Sequence, residues 1–308
     1  MPGERYSRNE ALFGVEGQRK IAATRVAILG LGGLGSHIAQ QLAYLGVASY
    51  ALIDQDVVTE SSLNRLIGAV DADIEAKTEK VKVAKRMIEA INPAADAKAL
   101  CAKLDASEAE TLISEADVVF ACLDRDLARL QATVLCSRYA KPCFDLASDT
   151  GEEDDQPWYG GRVIFCDGSR CLVCLGLLDQ EEMRRESKTP AQREAHERIY
   201  GVRQGALAGT GPMVVSVNGV VASIAITEFM VLRTGMRELH SYLIYHGAQQ
   251  VIRHSLDTPE SGCYYCDGTW GSALGEGAAR PSLIEIGVEQ LLGVGKQAWL
   301  DGPALLGS

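Results

Sequence analysis

Two sets of residues in this 308-residue chain have the types and spacing of working chemistry. The first is Ser61-Ser62-Leu63-Asn64-Arg65, then Lys80, then Asp124. An arginine and a lysine converging on one place suit the phosphates of a nucleoside triphosphate, which a hydride-transfer site does not need. Asp124 suits a hard Mg²⁺ ion, which is commonly bound through one or two carboxylates. No G-x-x-x-x-G-K-[ST] loop is present, so discrete side chains must replace a loop that wraps the phosphates. Taken singly, Arg65 and Lys80 also read as plain surface charge. The second set is Cys171-x-x-Cys174 and Cys263-x-x-Cys266, the expected tetrahedral four-thiolate set for Zn²⁺. Free or redox-active thiols are the other reading. A closed set leaves no open coordination position, so the metal would clip the second half of the fold together without taking part in turnover. The other five cysteines, Cys101, Cys122, Cys136, Cys143 and Cys166, read as buried, inert thiols.

The elements that must position these groups start with Arg25-Val-Ala-Ile-Leu-Gly30-Leu-Gly32-Gly33-Leu-Gly35-Ser36. A β-branched apolar run breaks into glycines and then into the apolar-periodic stretch Ser36 to Leu45. That is the strand, tight turn and helix of a dinucleotide-type phosphate cradle. A side chain at Gly30, Gly32 or Gly33 would keep phosphate from the backbone N–H groups and dipole of the helix N-terminus. Asp54 ends the next strand, Ser49 to Ile53, about 20 residues on, where a carboxylate can accept from a ribose hydroxyl. Asp56 follows it. Alone, this fingerprint points to a nicotinamide- or flavin-dependent oxidoreductase.

Lys80 to Ala90 has helical periodicity and stops at Asn92-Pro93. A strand is expected over Asp117 to Cys122, a helix over Asp126 to Arg138 and a strand over Pro142 to Ala147. Such alternation predicts a parallel sheet with helices on both faces and ligands beyond the carboxyl ends of its strands. Gly30, Asp54 and Asp124 all fall at those ends. Gly151 to Asp155 reads as an acidic loop, and Trp158 to Cys166 as a strand leading to the first cysteine pair. Gln180 to Gln204 reads as a charged, exposed connection long enough to cross the site as a lid. An apolar helix from about Pro212, strands near Ser241 to Tyr245 and Gln249 to Leu256, and a helix over Ser282 to Leu292 complete the chain.

The formal net charge of −11 disfavours nucleic acid and anionic membrane, so protein or peptide partners are expected. No segment has the form of an export signal, and nine cysteines without one point to a cytoplasmic protein with metal-bound or buried thiols. Pro212 to Leu232 carries Ser216, Asn218, Ser223, Thr227 and Glu228, which suits a helix buried between protein layers better than a bilayer span. The five histidines show no metal or triad spacing. His37 lies nearest the cradle.

Together, Arg5-Tyr-Ser-Arg8, Gly30-x-Gly-Gly-x-Gly-Ser36, Asp54-x-Asp56, Leu63-Asn64-Arg65, Lys80, Ile91-Asn-Pro93, Cys122-Leu-Asp124 and the two cysteine pairs form a pattern. In this order they resemble the MoeB/ThiF family, bacterial relatives of ubiquitin-activating enzymes, from Arg5 to about Cys266. The resemblance implies an α/β fold: a Rossmann-like, mostly parallel sheet with helices on both faces, plus a zinc-clipped C-terminal strand region. It implies an adenylation domain over 1–268, with a nucleotide-binding half to about 150, a zinc and partner-binding half after it, and a C-terminal extension over 269–308. It also implies a homodimeric adenylyltransferase that uses ATP and Mg²⁺ on the C-terminal carboxylate of a small ubiquitin-like or sulfur-carrier protein. By position, Gly30, Gly32, Gly33, Gly35, Asp54, Asp56 and Asn64 would surround the nucleotide. Arg65 and Lys80 would hold phosphate, Asp124 the Mg²⁺, and Arg8 would reach the triphosphate of the other subunit. Arg5 reads as a solvated surface charge.

Three departures from the family pattern matter. Ser62 stands where asparagine is usual, the spacing from Arg65 to Lys80 leaves Lys82 as a fallback, and no cysteine lies between Cys174 and Cys263. Many relatives carry an acyl- or sulfur-accepting thiol in that interval, so this chain is expected to stop at the acyl-adenylate. A peptide C-terminus is the alternative substrate. A C-terminal carboxylate, with a pKa of about 3.5, is ionised at neutral pH and needs no general base.

Overall fold

The computed structural model describes residues 4–153, 156–187, 214–263 and 265–266. One eight-stranded sheet organises them, in the order β3-β2-β1-β4-β5-β6-β7-β8. Strands β1 (Arg25–Leu29), β2 (Ser49–Ile53), β3 (Asp96–Leu100), β4 (Val118–Ala121) and β5 (Cys143–Glu153) pair in parallel. The sheet then continues antiparallel through β6 (Gln156–Cys166), β7 (Tyr242–His246) and β8 (Val251–His254).

Val26 to Leu29 and all of β4 are buried, as strands covered on both faces must be. Alternate side chains feed two cores. Ile28, Phe120, Phe144 and Phe165 face helices α1 (Ser7–Ala22), α2 (Gly33–Leu45), α4 (Lys80–Ile91) and α8 (Val215–Thr234). Leu29, Val119, Cys143 and Ile164 face α5 (Ser107–Glu115), α6 (Asp126–Arg138) and the four-cysteine cluster. Phe120 stacks on Phe144 at 5.3 Å between ring centroids and meets the edge of Phe229 from α8 at 5.6 Å.

Helix α2 closes at Gly46, whose φ of 90° is the left-handed cap that glycine accepts without a Cβ penalty. Helix α4 stops at Asn92, before Pro93, and the Asn92 amide donates to the Val47 carbonyl at 3.1 Å. Helix α8 is long and apolar enough to cross a membrane by length and composition, but it packs as a core helix against α2, β5, β6 and α1. Its buried Glu228 accepts from Arg237 Nη1 at 3.0 Å and from the His240 backbone N–H at 2.9 Å.

Several expectations change. Gly151 to Glu153, read as loop, continue β5 as a hairpin, because register pairing with Gln156 to Trp158 gives their backbone groups partners. Gln180–Ser187 of the charged connection forms helix α7, while 188–204 and the 282–292 helix lie outside the described residues. Strand β3 and helices α3 (Asp71–Glu75) and α5 were not anticipated. Cys101 is exposed and Cys122 half-buried, whereas Cys136, Cys143 and Cys166 are buried as expected. Arg5 is exposed, yet its guanidinium donates to the Ile91 carbonyl at the end of α4.

Candidate active site

Across the carboxyl ends of the parallel strands runs a cleft of about 590 Å³, within the range of small-molecule sites. The turn between β1 and α2 forms its floor. Gly30 takes a φ of +83°, and a Cβ there would sit 2.6 Å from the Cys122 carbonyl oxygen. A Cβ at Gly33 would overlap the Asn218 amide, and one at Gly35 the Gly30 carbonyl. These three glycines therefore let the chain pack on itself. Around Gly32 there is open space, so Gly32 is the glycine that leaves room for a ligand to approach the backbone. Gly30, Gly32 and Gly33 line the cleft, whereas Gly35 lies buried behind them.

Asp54 ties β2 to this turn. Its Oδ2 accepts from the Leu31 N–H at 2.6 Å and its Oδ1 from the Asp56 N–H at 2.8 Å. Burial pushes its pKa up, while the Lys80 charge and these two donors pull the other way. Lys80, the first residue of α4, pairs with Asp56 at 2.8 Å between Nζ and Oδ2. Arg65 donates from Nη1 to the Ser61 carbonyl at 2.5 Å and to Asn64 Oδ1 at 3.2 Å. Both acceptors are neutral, so the guanidinium keeps its charge for an anion. Asp124 is exposed just beyond β4, with no hydrogen bond or ion pair among the described residues.

Thus the structure gathers Arg65, Lys80, Asp54, Asp56 and Asp124 at one cleft. Lys82 points elsewhere, pairing with Glu79 at 3.1 Å. Asn64 is outside the lining and reaches the site only through Arg65. Ser62 is buried and bonds Thr59 at 3.0 Å, holding its own turn. Arg8 is exposed at the start of α1 and does not line its own chain's cleft. The half-buried His37 donates from Nε2 to the Val215 carbonyl at 3.2 Å, which joins α2 to α8. Desolvation lowers its pKa.

Beneath the cleft lies a charged layer that the sequence reading missed. Arg129 on α6 and Asp145 on β5 are 4% and 1% exposed. The guanidinium grips both carboxylate oxygens, with Nε to Oδ2 at 3.1 Å. Asn218, buried on α8, accepts from the Ser148 hydroxyl at 2.6 Å, which turns its amide toward Gly33. A charged residue at an inward position of a buried strand was the available signal for Asp145, and also for Arg162 on β6.

The four cysteine sulfurs lie within 4.8 Å of one another, with Cys171 to Cys263 at 3.7 Å and Cys174 to Cys266 at 3.6 Å. Ligands about 2.3 Å from a tetrahedral ion stand roughly 3.8 Å apart, so the donor set fits Zn²⁺ in both chemistry and spacing. Sulfurs this close share protons. Donation from Cys171 pulls the Cys263 thiol well below its usual range, and hydrogen bonding to Cys174 and then Cys263 pushes Cys171 up.

The model of the ThiF family matches residues 6–266, most of the 308-residue chain. The chain belongs to the ThiF family. The sulfur carrier protein ThiS adenylyltransferase of Escherichia coli is 28% identical to this ThiF-family chain over 271 residues, 86% of this chain and 95% of that protein. The E. coli molybdopterin-synthase adenylyltransferase is 34% identical over 178 residues, 56% of this chain and 68% of that protein. The match to its Haemophilus influenzae counterpart, 36% identical, spans 59% of that protein's length. Among solved structures, E. coli MccB shares the fold with a TM-score of 0.65 at 18% identity, covering 91% of this chain and 76% of MccB.

Proposed function

We propose that this ThiF-family chain is an ATP-dependent adenylyltransferase that activates the C-terminal carboxylate of a small ubiquitin-like or sulfur-carrier protein. The observation that carries the reading is the convergence of Arg65, Lys80 and Asp124 on one cleft with the Gly30–Gly33 turn and Asp54. Asp54 suits the ribose, and the open backbone at Gly32 the phosphates. Lys80 has three donors and can keep Asp56 while taking a phosphate oxygen. Asp124 would hold Mg²⁺, which neutralises phosphate charge when bound. The ionised carboxylate attacks the α-phosphorus, a carboxylate–phosphorus bond forms, the bond to the bridging oxygen breaks, and pyrophosphate leaves. The protein supplies position and countercharge.

In the same reading the enzyme is a homodimer in which Arg8 serves the partner's cleft, consistent with its exposure outside its own. The four cysteines hold one structural Zn²⁺ per chain. The cysteine-free interval between Cys174 and Cys263 favours a product that ends at the acyl-adenylate, to be completed by another thiol or amine. That interval also keeps a peptide C-terminus as the second substrate reading.

Pyrophosphate exchange into ATP, dependent on the carboxylate partner and abolished by Asp124→Ala, is the test. NADH turnover without exchange would install an oxidoreductase instead. ATP binding without pyrophosphate release would leave a non-catalytic binding module.

A further inference from the structure

One cation lining the cleft combines a buried, unmet donor with the lack of any ion pair among the described residues. Arg162 stands opposite Ala147 in the antiparallel β5–β6 register, so it shares a face with Asp145 and Asp149, and it lines the cleft with Asp149. Its Nε is buried without a hydrogen-bond partner. No carboxylate pairs with it: Asp124 and Asp149 line the same cleft without an ion pair, Asp149 accepting from the Thr150 N–H at 2.8 Å, and the others are engaged elsewhere. Asp145 holds Arg129 through both oxygens. Asp126 meets Arg129 at 3.5 Å and accepts from the Asp179 N–H at 2.8 Å. Glu186 accepts from the Leu127 N–H at 2.8 Å and pairs with Arg125 at 3.8 Å. Burial, and then the neighbouring Arg129, hold Arg162 below the usual arginine range, though a guanidinium remains charged at neutral pH. A partly desolvated charge with an unmet donor is costly unless an anion arrives.

The sheet order says which anion. Adjacent strands lie about 4.8 Å apart, so β6 is roughly 19 Å from β2, which precedes Asp54, and roughly 10 Å beyond β4, which precedes Asp124. A nucleotide with its ribose at Asp54 and its phosphates near Arg65 and Lys80 leaves Arg162 on the far side, where the second substrate must enter. We infer that Arg162 receives the C-terminal carboxylate of the acyl substrate and positions it for attack. This rests on the adenylation reading above. Arg162 gives up no proton and takes part in no bond change. Its planar fork aligns one carboxylate oxygen with the α-phosphorus.

The test compares the affinity of the full chain for MgATP, 5′-O-sulfamoyladenosine and its N-glycyl derivative, a stable mimic of a glycyl-adenylate. The two sulfamoyl compounds differ in the acyl group and in the anionic nitrogen that acylation creates, and MgATP, itself anionic, reports any loss that charge alone would cause. Arg162→Met is expected to lower affinity for the acylated compound about 10- to 100-fold, the loss of a charge-assisted hydrogen bond. Affinity for ATP and the unacylated compound should stay within about twofold. Arg162→Lys should recover part of the loss, because an ammonium keeps the charge without the fork. Arg162→Gln is read in the same way should the Met variant not fold. An equal loss for all three ligands would assign Arg162 to the nucleotide phosphates and overturn the inference, as would unchanged binding of the acylated compound. Wild-type protein that binds none of the three would overturn the adenylation reading itself.

Discussion

Replacing Asp145 with asparagine keeps the shape of the layer under the cleft and removes its one fully buried negative charge. Arg129, 4% exposed, would then retain only Asp126, at 3.5 Å and partly open to solvent. Breaking a buried pair on one side costs about 3 to 5 kcal/mol, because the remaining ion stays desolvated. Asp126 offsets part of this, and the nearby Arg162 adds repulsion, which places the expected loss near 3 kcal/mol. For a chain of this size that corresponds to a fall in Tm of about 5 °C. Urea unfolding followed by circular dichroism should show a lower midpoint at an unchanged slope. The double variant Arg129→Met with Asp145→Leu should return to within about 1 kcal/mol of wild type, since it leaves no fully buried ion and the half-buried Asp126 and Arg162 keep some solvent. If Asp145→Asn alone costs under about 1 kcal/mol, the pair is not desolvated in the way its burial implies and the reasoning fails.

Metal analysis should give about one equivalent of zinc per chain, lost in Cys171→Ser together with thermal stability; a metal-free, fully folded wild type would contradict this. Asp73 is held down to about 2 by Arg86, with a further donor at the Val70 N–H. A depressed carboxyl stabilises the fold above its unfolded pKa, so about 1 to 2 kcal/mol, reduced by solvent at the half-exposed Arg86, should vanish as pH falls from about 4 to 2. Asp73→Asn should flatten that stretch of the stability–pH curve, and an unchanged slope would refute the assignment. Arg8→Ala should abolish turnover yet be partly rescued in mixed dimers with Asp124→Ala, whereas no rescue at any ratio would argue against action across the dimer.

Much of the fold was legible in the sequence because the buried strands have unbroken apolar runs and the helices end at Gly46 and Asn92-Pro93. Ser49–Ile53 and Asp126–Arg138 agree residue for residue with expectation. Strand β3, Asp-Ala-Lys-Ala-Leu, escaped because it is an edge strand with only Ala97 buried, so its pattern is too polar to announce itself. The hairpin through Gly151 escaped because acidic composition masked a register that only the partner strand supplies. At the site, Arg65, Lys80 and Asp124 could be found from residue type and order. Arg129, Asp145 and Arg162 could not be grouped, since a buried pair between a helix and a strand leaves no local spacing to read. The glycines were legible as a turn but not in their separate duties, which depend on Asn218 and Cys122 arriving from elsewhere in the chain.

The cysteine clasp has a topological consequence. Each of its two contacts joins residues 92 positions apart, and helix α8 with strands β7 and β8 all lie inside the loop so formed. The clasp sits on one side of the sheet and α8 on the other, so the segment it closes holds elements from both faces. With the proposed Zn²⁺ bound, a nick between α7 and α8 should leave two fragments tied both by the clasp and by the β6–β7 pairing, of which a chelator undoes only the first.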